Sequence, residues 1–244
     1  MTKPGDLELD GGWSDSAEAW IALAPEHATR KLLLDPILLA EAGDVAGKRI
    51  LDLGCGEGRF SHILAGRGAR TVGIDPIRRL IEEACSKAST AERYVMGSGD
   101  ALPFAGESFD LVAAYLCLID IPDFRAAMRE SARVLRPGGT LLVANVSNLA
   151  SSSGAPVYDA EGNFAYYAID NYLEEHAVTL EWAGLRIRNW HRPLSDYMDA
   201  YLGAGLVLKR YIEPRPDESL RGDRRFESWF RVPSFDVMVW SKPG

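Results

Sequence analysis

The stretch Ile50-Leu51-Asp52-Leu53-Gly54-Cys55-Gly56-Glu57-Gly58-Arg59-Phe60 decides the fold. It ends an apolar strand and opens a helix. Three alternate glycines let the backbone turn sharply and approach a ligand closely, and the helix that follows presents free N–H groups at the carboxyl edge of a sheet. A small molecule is the expected occupant. A dinucleotide fingerprint spaces its glycines G-x-G-x-x-G, whereas here position 59 is Arg and the third glycine falls one residue early. NAD is thereby disfavoured, and a nicotinamide-dependent oxidoreductase is the alternative enzyme class.

Outward from this turn, the chain from Lys48 alternates short apolar strands with amphipathic helices, the signature of a parallel sheet covered on both faces. Strands are expected at Arg49–Leu53, Thr71–Ile74, Phe109–Ala114 and Thr140–Ala144, with a weaker one at Tyr94–Met96. Between them Ile77, Leu80, Ile81 and Ala84 recur at helical spacing. So do Phe124, Met128, Ser131 and Leu135, with Asp123 placed to cap and Pro137-Gly138-Gly139 to stop the helix. The pattern defines an α/β, doubly wound sheet.

Four segments in this order resemble the class I S-adenosylmethionine-dependent methyltransferases, in particular the small-molecule (type 11) group that includes ubiquinone and menaquinone biosynthesis enzymes. They are LDLGCGEG at 51–58, VGIDP at 72–76, GSGDALPF at 97–104, and FDLVAAYLCLIDIPD at 109–123 with ARVLRPGGTLLV at 132–143. The resemblance spans residues 48–147 and implies S-adenosyl-L-methionine as cofactor and a Rossmann-like sheet of seven strands, mostly parallel with the last one antiparallel. It implies that Gly54, Gly56 and Gly58 form the cofactor turn, that Asp75, followed by Pro76, accepts the ribose hydroxyls, and that Asp100 and the Ala101 N–H read the adenine edge. Leu116 and Cys117 are implied beside the methionine part. Two readings stand for Asp52: facing the cofactor amino group with the Gly54 carbonyl, or stabilising the turn. For Cys117 they are a catalytic thiol and an apolar wall residue, with no basic neighbour in sequence to lower its pKa.

In open α/β sheets ligands lie outside the carboxyl ends of the strands, so the methyl acceptor is expected beneath the segments flanking the core. The chain divides into an N-terminal helical cover (1–47), a cofactor-binding core (48–147), a lid insertion (148–192) and a C-terminal helix with closing strands (193–244). In the cover, Ser14 or Ser16 is expected to cap a helix carrying Trp20, and Pro36 to interrupt KLLLDPILLAEAG. Trp13, Trp20 and His27 are available there. The lid offers Tyr166, Tyr167, His176 and His191, after a loop at Ser151-Ser152-Ser153-Gly154.

A β-hairpin is expected from Asp170–Trp182 and Leu185–His191, turning at Ala183-Gly184. That register pairs Glu181 with Arg186, Leu180 with Ile187 and His176 with His191. His191 then has two readings, a general base and a hydrogen-bonded structural histidine. Two histidines without a third or a cysteine argue against zinc, so no metal is expected. A helix with Leu194, Tyr197, Met198, Tyr201 and Leu202 on its buried face follows, and strands at Leu206–Ile212 and Phe235–Trp240 close the chain. Arg221, Arg224, Arg225 and Arg231 read as a solvated loop or a patch for an acidic ligand.

Composition sets outer bounds. The 244 residues are 47% hydrophobic and 25% charged, as in an ordinary globular protein. The longest apolar run, Leu111–Ile119, is far short of the about 20 residues of a membrane span, and the opening MTKPGDLELDGG has no signal-peptide pattern. With three scattered cysteines, the expected compartment is the cytoplasm. Net charge is −8, divided as −6 in residues 1–47, +1 in 48–147 and −3 in 148–244. Acidic flanks repel a polyanion, so a nucleic-acid partner is not expected. A monomer or homodimer acting on a small, aromatic, neutral or cationic acceptor is. A catalytically silent cofactor-binding regulator is the non-enzyme alternative.

Overall fold

The computed structural model describes residues 10–224 and 226–244; Arg225 lies outside the described residues. Helix α1 (Trp13–Leu23) leads to a wide helical turn at Arg30–Leu34 that runs into α2 (Asp35–Ala42). The core follows as β1 (Arg49–Leu53), α3 (Arg59–Gly66), β2 (Arg70–Asp75), α4 (Arg78–Lys87), β3 (Glu92–Met96), β4 (Phe109–Tyr115), α5 (Phe124–Val134) and β5 (Leu135–Val146). A short helix, α6 (Asn148–Ser151), precedes two hairpins. These are β6 (Ser153–Tyr158) with β7 (Phe164–Ile169), and β8 (His176–Trp182) with β9 (Leu185–His191). Helix α7 (Leu194–Gly203), β10 (Val207–Ile212) and β11 (Phe235–Ser241) complete the chain.

The main sheet has seven strands in the order β3-β2-β1-β4-β5-β11-β10, parallel from β3 to β5, with β11 antiparallel to both neighbours. Successive residues of β5 feed opposite faces, and both faces are covered. Leu141 and Val143, with Met238 and Trp240, pack under Phe124, Met128, Tyr197 and Tyr201. On the other face Leu142 and Ala144 join Ile50, Leu111 and Val237 beneath Leu34, Leu38, Phe60 and Leu64. Asp123 caps α5 as its position requires, accepting the Ala126 N–H at 2.9 Å.

Several local expectations change. Asp10, not a serine, caps α1, its carboxylate accepting the N–H groups of Gly12 and Ser14 (2.8 and 3.0 Å). Ser16 is buried and exchanges two hydrogen bonds with the main chain of Arg186. Pro36 begins α2 instead of breaking it, because a first-turn proline forfeits no helical hydrogen bond and the wide turn before it gives its ring room. Leu202 is 57% exposed, since the buried stripe of α7 is set by Tyr197 and Tyr201, one turn apart.

The β8–β9 register is the expected one, with His176 opposite His191, Leu180 opposite Ile187 and Glu181 opposite Arg186. Ala183 and Gly184 both have positive φ (48° and 83°), as a two-residue hairpin turn demands. The strand starts at His176 and not Asp170, where Asn171 (φ 51°) bends the chain. The β6–β7 hairpin was not expected, and it begins at Ser153, inside the stretch 151–154 read as a loop.

One buried acid gives a pH signature. Asp236 lies opposite Asn145, is 1% exposed, and neither carboxylate oxygen has a hydrogen-bond partner among the described residues. Burial, with repulsion from Glu213 second, pushes its pKa up to about 8. The folded chain therefore keeps a proton that the unfolded chain loses near pH 4, and stability from this group falls as pH rises from about 4 to about 8. Asp236→Asn is expected to raise the melting temperature at pH 8.5 by at least about 3 °C relative to its effect at pH 4. Parallel pH–stability curves for the two proteins would refute this.

Candidate active site

The glycine turn is built from main-chain bonds. The Cys55 N–H donates to the Ile74 carbonyl and the Gly58 N–H to the Cys55 carbonyl, both at 3.0 Å. Asp75, at the carboxyl end of β2, accepts the Gly56 N–H through Oδ2 and the Ile77 N–H through Oδ1, each at 2.9 Å. It is 7% exposed, and burial raises its pKa to about 6. Gly58 (φ 81°) starts α3, and a Cβ there would lie 2.6 Å from the Tyr94 hydroxyl oxygen. Asp52 is buried beneath the turn. Its Oδ2 accepts both the N–H (2.9 Å) and the hydroxyl (2.7 Å) of Ser61, and burial brings it to about pKa 6. Those contacts accord with the turn-stabilising reading of Asp52.

A cavity of about 440 Å³ opens above this turn. Its inner half is lined by Gly54, Cys55, Gly56 and Glu57, by Asp75 and Pro76, by Gly97–Gly99, and by Leu116 and Cys117. Leu116 holds the left-handed conformation (φ 56°), an arrangement that costs a non-glycine residue about 1–2 kcal/mol and places it at the cavity wall. Burial, reinforced by Asp120, Asp52 and Asp75, pushes the Cys117 thiol up, which accords with a wall residue and not a thiolate nucleophile. Asp100 and Ala101 follow Gly99 just outside the lining. The Ala101 N–H reaches the Ser98 carbonyl at 3.4 Å.

The outer half is lined by Trp13, Trp20, His27 and Arg30 from the cover, by Asp120 after β4, and by Leu180, Trp182, Ile187, Arg188 and Asn189 from the β8–β9 hairpin. Trp13 and Trp20 meet edge to face at 5.5 Å. Tyr166, Tyr167 and His176 are not part of this wall. Tyr166 is 57% exposed on β7, and the Tyr167 hydroxyl lies 3.4 Å from that of Ser228. The loop arginines serve locally: Arg221 pairs with Glu218, Arg224 with the Asn163 side chain, and Arg231 with the carbonyls of Phe164 and Ala165.

His191 is corrected by its surroundings. It is 1% exposed, with Nε2 2.8 Å from the Tyr172 carbonyl and Nδ1 2.8 Å from the Ser151 hydroxyl. The carbonyl only accepts, so Nε2 carries the proton and Nδ1 accepts a hydrogen bond from the Ser151 hydroxyl. Neither nitrogen is left for a substrate, and burial holds the ring neutral. Its neighbour Arg192 is fully buried, donates to the carbonyls of Leu118, Ile121 and Pro122, and fixes the loop after β4. The histidine at the cavity wall is His27, kept neutral by burial and by Arg30 and Arg59.

Sequence reasoning missed two groupings. Glu57, inside the turn, accepts the Trp20 indole N–H at 2.7 Å and pairs with Arg30 at 3.4 Å, tying the cover to the turn. Arg30 itself stacks over Trp20 and Tyr115. Asp120 accepts from the Asn189 amide at 2.6 Å. Its signal was a carboxylate interrupting an apolar run just past a strand's carboxyl end; nothing in the sequence marked Asn189.

The inner half fits S-adenosylmethionine on this geometry. A Cβ on Gly56 would meet only the Trp20 indole nitrogen at 3.6 Å, so bare backbone faces the cavity there. Asp75 retains lone pairs after its two backbone bonds and can accept from hydroxyl groups. Residues 51–143 match the methyltransferase domain family. The chain has the Rossmann-like fold of S-adenosylmethionine-dependent methyltransferases. One from Mesorhizobium loti superposes with a TM-score of 0.75 at 25% identity, covering 84% of this chain and 96% of that one.

Among curated proteins, the O-methyltransferase resE of Aspergillus sclerotiorum is 35% identical over 143 residues, 56% of this chain and 52% of its own length. The ubiquinone biosynthesis O-methyltransferase of Rhizobium rhizogenes is 30% identical over 144 residues, 58% of this chain and 57% of its own. The chain spans about half the length of the curated relatives it matches.

Proposed function

We propose that this protein moves the methyl group of S-adenosylmethionine to oxygen, nitrogen or carbon of a small organic molecule. The observation that carries the reading is one continuous cavity, with the glycine turn and Asp75 at its inner end and the tryptophan-lined cover and hairpin at its outer end. When bound, the sulfonium supplies an already activated methyl group, so the chain has only to orient an acceptor, exclude water and manage a proton. Gly54, Gly56, Gly58, Asp75 and Pro76 would hold the donor, with Asp100 and Ala101 at the adenine and Leu116 and Cys117 at the sulfur. Trp13 and Trp20 would cover the acceptor.

The acidic cover and lid favour a neutral or cationic acceptor over a polyanion. Among the described residues no helix is long and apolar enough to cross a membrane. Three unpaired cysteines are in keeping with a reducing compartment such as the cytoplasm.

Calorimetry with S-adenosylmethionine, then a screen of phenols, amines and carboxylic acids for S-adenosylhomocysteine release, tests the reading. Micromolar donor binding and at least one turned-over acceptor are expected. Donor binding without turnover on any acceptor would favour a silent regulator, and binding of NADH instead would favour an oxidoreductase.

A further inference from the structure

We propose that Asp120 and Asn189 form the subsite that receives the hydroxyl of a phenol-type acceptor, with Asp120 taking its proton. The inference rests on the methyltransferase reading and names the acceptor class and a residue in contact with it.

Asp120 lies five residues past the end of β4, with its N–H on the Cys117 carbonyl at 3.0 Å, and it lines the cavity beside Cys117. Asn189 reaches it from the lid, donating its amide to Oδ1 at 2.6 Å across 69 residues of sequence. The pair is held on both sides. The Trp190 N–H bonds the Ile119 carbonyl at 2.6 Å, and the Arg188 N–H bonds the Gly11 carbonyl at 2.7 Å.

A carboxylate has about four lone-pair sites, so bonds from Asn189 and Trp13 leave capacity for a hydroxyl donor. The tryptophans Trp13, Trp20 and Trp182, with Leu180 and Ile187, supply flat and apolar walls for a ring. Burial raises the Asp120 pKa to about 7, suited to a proton acceptor at neutral pH. In the transfer the acceptor oxygen bonds the methyl carbon, the carbon–sulfur electron pair stays on sulfur, and the hydroxyl proton passes to Asp120 and then to solvent.

The test uses the full chain loaded with S-adenosylhomocysteine and titrated with 4-methylcatechol and 2-naphthol. Both phenols ionise well above neutral pH, and binding is read by tryptophan fluorescence. Asp120→Asn, which keeps size and polarity, is expected to weaken phenol binding at least tenfold while calorimetric affinity for S-adenosylmethionine stays within twofold. With the donor present, the wild-type kcat rises through about pH 7 and that of Asp120→Asn is low and flat. Asn189→Ala keeps the carboxylate and moves the wild-type limb to higher pH, because a bond to the charged form is lost.

Undiminished phenol binding by Asp120→Asn overturns the proposal, and so does a matching loss of donor affinity, which would assign Asp120 to the cofactor. If the wild type binds the donor but neither phenol, the phenol inference fails and the methyltransferase reading stands. Failure to bind the donor defeats that reading itself.

Discussion

Gly54→Ala is expected to cost about 2–5 kcal/mol of folding stability and to abolish donor binding. Two penalties add at this position. The residue has φ 63°, where an L side chain costs about 1–2 kcal/mol, and a Cβ there would overlap the Cβ of Cys117, with overpacking worth about 1–3 kcal/mol. Relief by movement is blocked. Cys117 follows Leu116, which is already left-handed and whose N–H is fixed to the Ala144 carbonyl at 2.8 Å. Urea denaturation reads the cost as a lower midpoint with unchanged slope. Gly66→Ala is the control, since it ends α3 with nothing within 4 Å of a built Cβ, and it should leave the unfolding free energy within about 0.5 kcal/mol of wild type. A wild-type midpoint for Gly54→Ala would mean that the turn is not packed as described.

Asp75→Ala is expected to weaken S-adenosylmethionine binding ten- to a hundredfold. The carboxylate is the charged acceptor at the end of β2, and hydrogen bonds to a charged group are worth about 1.5–3 kcal/mol. Its removal also frees the Gly56 N–H, so the turn loses an anchor where the donor would sit. Because burial raises the Asp75 pKa to about 6, donor affinity of the wild type should fall as pH drops below about 6, while the variant shows no such dependence. Calorimetry at pH 5.5 and 7.5 measures both. Equal affinity in the two proteins at pH 7.5 would remove Asp75 from the donor site.

The sheet was readable in advance because its signals are local. Glycines at 54, 56 and 58, alternating apolar residues in the strands and helical spacing between them each act over a few residues. The β8–β9 register was readable for the same reason, since the Ala183-Gly184 turn and the Glu181–Arg186 pair agree. His191 shows where such reasoning stops. It shares the face of β9 that carries Ile187 and Asn189 to the cavity, but two further residues along a strand are about 7 Å, and there Ser151 and Tyr172 close over it. The Asp120–Asn189 pair joins segments 69 residues apart, and the Glu57 bond to Trp20 joins segments 37 apart. Neither leaves a periodic trace. The β6–β7 hairpin was hidden by its own serine, glycine and proline content, which reads as loop.

The two hydrogen bonds between Ser16 and Arg186, with the one from the Arg188 N–H to the Gly11 carbonyl, couple the cover to the hairpin in any redesign of the cavity. Much of the outer wall of the cavity comes from two segments, one before and one after the matched region at 51–143, that are stitched to each other and not only to the core. A change in one segment must accommodate the other, so substitutions that reshape the outer wall should work best in pairs, one on each side of residues 51–143. A chimera that grafts only the hairpin onto a related core would carry half a pocket.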